Sequence, residues 1–193
     1  MGTKNKEHIG RLKWDHIESL QGFDKQLCAL TEVEVAVFCD CHIFCSTLAM
    51  HPLKSLGSSL VDLKIHNAET SPTVMEYLLA GLPKLHRLVA HGLQIKSDPD
   101  FVGGSPAPFF NNSSEMTLFS MDYSQGTLGW IPPTAQFKEL KIGALCAHKN
   151  PELVECWINS SCEILKVLEL EYGLDIGGVC FDQDNFQASL LTL

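Results

Sequence analysis

Residues 58–95 read SSLVDLKIHNAETSPTVMEYLLAGLPKLHRLVAHGLQI. The phrase apolar-x-x-apolar-x-apolar occurs in them twice, as Leu60, Leu63, Ile65 and as Leu85, Leu88, Ala90. Between the copies, Ser71-Pro72 opens TVMEYLLAGL. Serine is a preferred N-cap and proline a preferred first helical residue. Val74, Leu78, Leu79 and Leu82 follow at helical spacing. The stretch predicts strand, return helix, strand, with alternate strand residues turned inward. Parallel neighbours need a crossover of a dozen or more residues, and the helix supplies it.

Outward from this stretch the phrase recurs. Clear copies are Phe137, Leu140, Ile142 and Leu165, Leu168, Leu170. Weaker ones are Ile9, Leu12, Trp14; Leu30, Val33, Val35; and Met116, Phe119, Met121. A second Pro-opened helix is expected after Asn150-Pro151, with Leu153, Val154, Trp157 and Ile158 as its apolar stripe. First positions fall at 9, 30, 60, 85, 116, 137 and 165. Recurrence at such a period is the signature of a leucine-rich repeat. The expected fold is α/β: a leucine-rich-repeat solenoid with a curved parallel sheet on one face and irregular helices and loops on the other. Residues 1–193 read as one domain. Two stretches rich in Gly, Pro, Ser and Asn, 96–115 and 124–136, read as loop insertions. Phe109, Phe110 and Trp130 in them are expected to fold back over the core.

Composition fits a folded chain. Of 193 residues 45% are apolar and 19% charged, which supplies a sizeable core and excludes a disordered polymer. No apolar run reaches membrane-spanning length, so no membrane partner is expected. The N-terminal MGTKNKEHIG has no apolar stretch behind its charges, so no secretory signal is read there. A cytoplasmic or nuclear location is expected, with the eight cysteines as thiols. Net charge is −9, and all of the excess lies in residues 97–193, with four basic against thirteen acidic residues. Such a balance argues against nucleic acid, whose binding runs on clustered Lys and Arg.

The strand register defines a candidate site. If the first, fourth and sixth residues of each phrase point inward, the third, fifth and seventh face an open, concave side. Across the copies that side carries Arg11, Lys13, Asp15; Glu32, Glu34, Ala36; Asp62, Lys64, His66; Arg87, Val89, His91; Leu118, Ser120, Asp122; Glu139, Lys141, Gly143; and Val167, Glu169, Glu171. The partner-binding residues are assigned among these as Asp62, Lys64, His66, Arg87, Val89, His91, Glu139, Lys141, Glu169 and Glu171. Seventh positions set His66, His91 and Asp122 side by side. Cations lie toward the start of the row and Glu169 and Glu171 at its end, a charge gradient suited to a protein partner. No nucleophile elbow, phosphate-cradling loop or zinc-protease motif occurs, so the expectation is a non-enzyme without cofactor or metal. The alternative is a metal- or thiol-dependent enzyme centred on Cys39, Cys41, His42 and Cys45. These offer four soft or borderline ligands in seven residues. They lack a second distant knuckle and follow a strand phrase, which favours packed thiols.

The 58–95 stretch, with its step Leu82-Pro83-Lys84-Leu85 from helix into strand, resembles the leucine-rich-repeat region of fungal, mushroom-type F-box-like proteins. Residues 137–170 look like the later repeats of that family, where a Trp-bearing helix leads to a strand phrase. The resemblance implies a non-catalytic protein-binding surface that recognises substrates for a cullin-type ubiquitin ligase, with ligase components as further partners. An F-box would start with a Leu-Pro-x-Glu helix; none precedes the first phrase, so the F-box itself is expected to be absent.

Overall fold

A computed structural model describes residues 11–15, 33–41, 53, 56–57, 59–99, 108–111, 114–119, 128–143, 149–171 and 187–191. The chain is α/β, and its main element is a parallel sheet. The sheet strands are β1 (Arg11–Asp15), β2 (Val35–Cys39), β3 (Asp62–His66), β5 (Arg87–His91), β7 (Ser114–Phe119), β8 (Phe137–Ile142), β9 (Val167–Glu171) and β10 (Gln187–Leu191). They lie side by side in chain order. Two short strands, β4 (Glu69–Thr70) and β6 (Gln94–Ile95), pair separately, also in parallel. Helix α1 (Pro72–Ala80) returns the chain from β4 toward β5, and α2 (Pro151–Ser161) returns it from β8 to β9.

One inward column fixes the register. Leu12, Ala36, Leu63, Leu88, Met116, Leu140 and Leu168 stand opposite one another on successive strands. Leu63, Leu88, Leu140 and Leu168 are at most 4% exposed, as expected for stacked phrase positions. Two of the weaker phrases are corrected. Ala36, not Val33, pairs with Leu63, so the second phrase is Val33, Ala36, Phe38, all three buried. Met116 pairs with Leu88 and takes the middle position, with Leu118 as the next inward residue. Both errors are three residues, because a loose i, i+3, i+5 pattern matches at more than one place in an apolar stretch. With the registers corrected, the column residues from Leu12 to Leu168 recur every 24 to 28 positions.

The strands end alike. Asp40 (φ 51°), Asn67 (φ 50°) and Gly92 (φ 68°) follow β2, β3 and β5 in the left-handed region, which Gly, Asn and Asp enter at least cost. Each donates its N–H to the next strand: Asp40 to the His66 carbonyl, Asn67 to His91, Gly92 to Phe119, at 2.8–3.0 Å. The turn then swings the following residues, Cys41, Ala68 and Leu93, into the core. A Cβ on Gly92 would lie 2.4 Å from Asn67 Oδ1.

The return segments seal the other side of the core. Ser71 caps α1, its Oγ accepting the Val74 N–H at 3.4 Å. Asp98 accepts the neighbouring Thr73 N–H at 3.2 Å, a second cap supplied from 25 residues on. Asn150 sits at the N-cap of α2, but its side chain makes no capping bond. Trp157 Nε1 donates to the Pro132 carbonyl at 3.0 Å and Ser160 Oγ to Pro133 at 3.1 Å. Ser161 Oγ accepts the Phe137 N–H at 2.9 Å, so α2 is tied both to the 128–136 loop and to β8. Phe109, Phe110 and Trp130 are buried as expected, with Phe110 edge-on to Phe137 and Phe137 edge-on to Trp157. The expected 96–115 insertion ends early, since Ser114 and Glu115 already belong to β7. Among the described residues no helix is long and apolar enough to cross a membrane.

Candidate functional site

Residues that alternate with the inward column form the open face of the sheet, in three rows. The first holds Arg11, Val35, Asp62, Arg87, Glu115, Glu139 and Val167. The middle row holds Lys13, Val37, Lys64, Val89, Thr117, Lys141 and Glu169. The last holds Asp15, Cys39, His66, His91 and Phe119; in the register of β9 and β10, Glu171 pairs with Leu191. Asp62, Lys64, His66, Arg87, Val89, His91, Glu139, Lys141 and Glu169 thus occupy open-face positions, and Glu171 is the last residue of β9. Asp62, Lys64, His66, Arg87, Val89, Glu139, Lys141 and Glu169 are half-buried, and His91 is exposed.

The two register errors carry over to this face. Ala36 and Leu118, expected on it, are fully buried in the core. Phe119 stands opposite His91 in the place expected for Asp122. Ser120, Asp122 and Glu32 lie outside the described residues. In place of Ala36 and Leu118 the face gains Val35, Val37, Cys39, Glu115 and Thr117.

Glu115 is the largest omission of the sequence reading. Its carboxylate receives Arg87 Nε at 3.8 Å, His86 Nε2 at 3.7 Å and Lys138 Nζ at 3.9 Å. Arg87 reaches the other way to Asp62 at 3.8 Å, and Asp62 also holds Lys64 at 3.6 Å. Lys141 pairs with Glu169 at 3.0 Å and Lys13 with Asp15 at 3.2 Å. The expected sign gradient is therefore broken up: carboxylates from neighbouring strands stand between the cations. Partly exposed pairs of this kind contribute about 0–1 kcal/mol each. Their larger effect is to hold long side chains in fixed positions.

The last row carries the titratable chemistry. His66 and His91 lie side by side, ring centroids 6.0 Å apart. Burial, then the charges of His91 and Lys64, pushes the His66 imidazole below its ordinary range; Asp40 opposes and Lys13 adds to the shift. Burial, with a hydrogen bond to the Asp15 carboxylate and its charge, pushes the Cys39 thiol up. Both effects favour the uncharged side chain.

Cys39 and Cys41 do not converge. Cys39 faces Asp15 and His66, whereas Cys41 is 1% exposed and donates its S–H to the Cys39 carbonyl at 3.1 Å. The left-handed Asp40 between them turns the second thiol to the opposite side. His42 and Cys45 lie outside the described residues. Among the described residues no three His, Cys, Asp or Glu side chains are placed to hold a metal ion. No family model, no curated protein and no solved structure matches the chain.

Proposed function

We propose that the chain is a leucine-rich-repeat solenoid and works as a non-catalytic protein-recognition module, binding its partner on the open face of the sheet. The observation that carries this is the stacking of successive parallel strands in chain order, which lines up three rows of side chains on one backbone frame. The repeat reading draws further support from an eleven-position phrase, apolar at 1, 4, 6 and 11 with Asn or Cys at 9. Residues 33–43, VEVAVFCDCHI, fill it with Cys41 at the ninth position. There the buried thiol donates to backbone carbonyls, at 3.1 Å to Cys39 and 3.6 Å to Trp14.

Recognition follows from the side chains. Asp62, Arg87, Glu115, Lys141 and Glu169 are already ordered by one another, so a partner loses little additional side-chain entropy on meeting them. Val89 and Phe119 add half-buried apolar contact between the charges. The family resemblance assigns such a face to substrate capture for a cullin-type ubiquitin ligase in the cytoplasm or nucleus. The Leu82-Pro83-Lys84-Leu85 step supports it, since it leads out of α1 into β5.

The test is affinity capture with quantitative mass spectrometry, with and without the cullin adaptor. Wild type is compared with Lys64→Glu/Arg87→Glu, with Glu169→Lys, and with Glu155→Lys on the exposed side of α2 as control. The expected result is partner loss on the open-face reversals and retention in the control, at unchanged melting temperature. Capture indifferent to the open-face reversals refutes the proposal.

A further inference from the structure

The first strand of the sheet differs from those behind it. β1 has β2 on one side, and among the described residues no strand pairs with its outer edge. Its burial alternates between exposed and half-buried, whereas β3 alternates between half-buried and buried. Leu12 and Trp14, which take the inward positions of β1 and pack on the core, remain partly exposed. Trp14 stacks on Phe38 at 4.6 Å, toward β2. The outer edge of a terminal strand is where a further strand can add to a sheet.

The five residues of β1 say which strand fits. Arg11-Leu12-Lys13-Trp14-Asp15 is complementary to itself when reversed. Laid antiparallel about Lys13, Arg11 of one copy stands opposite Asp15 of the other, and Leu12 opposite Trp14, each pairing occurring twice. Antiparallel neighbours directly opposite come within about 4.5–5.5 Å at Cβ, close enough for these pairs to form. Lys13 meets its own equivalent, a repulsion moderated because each Lys13 is held by its own Asp15 at 3.2 Å. Among the described residues Arg11 makes no ion pair, so this arrangement gives it its carboxylate.

We infer that a second copy of this chain docks on β1, the two strands running antiparallel about a two-fold axis through Lys13. The contact is isologous and closes at two copies. With the axis normal to the sheet, both open faces lie on the same side, and the two sheets continue into one another. Arg11, Lys13 and Asp15 also stand in the rows of the open face, but self-association and partner capture are read separately, so each proposal can fail without the other.

Sedimentation velocity on the full chain tests it, over roughly 1–500 µM, the range where a short edge contact would be half-saturated. The expected mass rises from 21.3 kDa toward twice that value. Arg11→Asp and Asp15→Arg each place like charges opposite and should weaken dimerisation at least about tenfold. The double variant restores opposite charges and should return to within about threefold of wild type. Pairing shifted to centre on Trp14 would not show that rescue. Because Asp15 also holds Lys13 and the Cys39 thiol, Arg11→Lys, expected to retain the dimer, serves as a fold-neutral comparison for Arg11→Asp. Independently, Lys13→Cys under mild oxidation should give a 13–13 disulfide between chains, identified by mass spectrometry. A monomer at all concentrations, a double variant as weak as the single ones, or no 13–13 crosslink overturns the inference.

Discussion

Replacing Gly92 by Ala should destabilise the protein through two separable terms. The first is backbone: φ is +68° here, and a Cβ in the left-handed region costs about 1–2 kcal/mol. The second is steric: the new Cβ would sit 2.4 Å from Asn67 Oδ1. That oxygen ends an exposed side chain, which can rotate away, so this term is smaller, about 0.5–1.5 kcal/mol for a displaced rotamer. The backbone term is expected to dominate, and the total to reach about 1.5–3.5 kcal/mol. Urea melts give the cost as a fall in midpoint at unchanged slope. In an Asn67→Gly background the steric term disappears, and Gly92→Ala should cost only the backbone part. The cycle should leave a coupling of about 0.5–1.5 kcal/mol between the two sites. A neutral or stabilising Gly92→Ala would refute the left-handed strand end, and zero coupling would refute the seating of Asn67 over Gly92.

Leu140→Ala, in a fully buried position between Met116 and Leu168, should cost about 2–5 kcal/mol in the same assay. A value near zero would mean that the column is not the core. His66 is pushed below its ordinary 6.5, so the unfolded chain takes up that proton first. Its contribution to stability is present above pH 6.5 and is lost as pH falls below it. Midpoint against pH should be flatter in His66→Gln over that interval, with His91, Lys64, Lys13 and Asp40 kept in place as the groups that face it. Timed alkylation at neutral pH with peptide mapping should label exposed Cys156 and Cys162 well before Cys39 and Cys41. Early labelling of Cys39 would contradict the raised thiol.

What the sequence made legible followed from repetition of strong local signals. Leu60, Leu63, Ile65 and Leu85, Leu88, Ala90 are large or well-spaced residues flanked by polar ones, so their inward faces had one solution. Ser71-Pro72 combined a cap with a fixed φ, and the helix began there. The second and fifth phrases failed in register because Val33, Val35, Val37 and Phe38, or Met116, Leu118 and Phe119, offer apolar residues to both faces. A period of two then loses its direction, and only pairing with the next strand settles which side is buried. Glu115 was missed for the same reason: a shift of three residues left it in a loop. The cross-strand ion pairs of the open face, Arg87 with Asp62 and Glu115 and Lys141 with Glu169, were beyond sequence reading altogether, because they join residues that only the register makes neighbours.

In the main sheet each strand pairs with the strands before and after it in the chain and offers both the same inward residue. That order makes the chain divisible. Excising Leu63 through Arg87 would run Asp62 directly into Leu88, and β2 could meet the hybrid strand in the register it now keeps with β3. Gene recombination can therefore lengthen or shorten such a chain by whole units with every strand still correctly seated. Loss of a single residue inside a strand has the opposite outcome, since it exchanges the buried and open faces from that point to the strand's end.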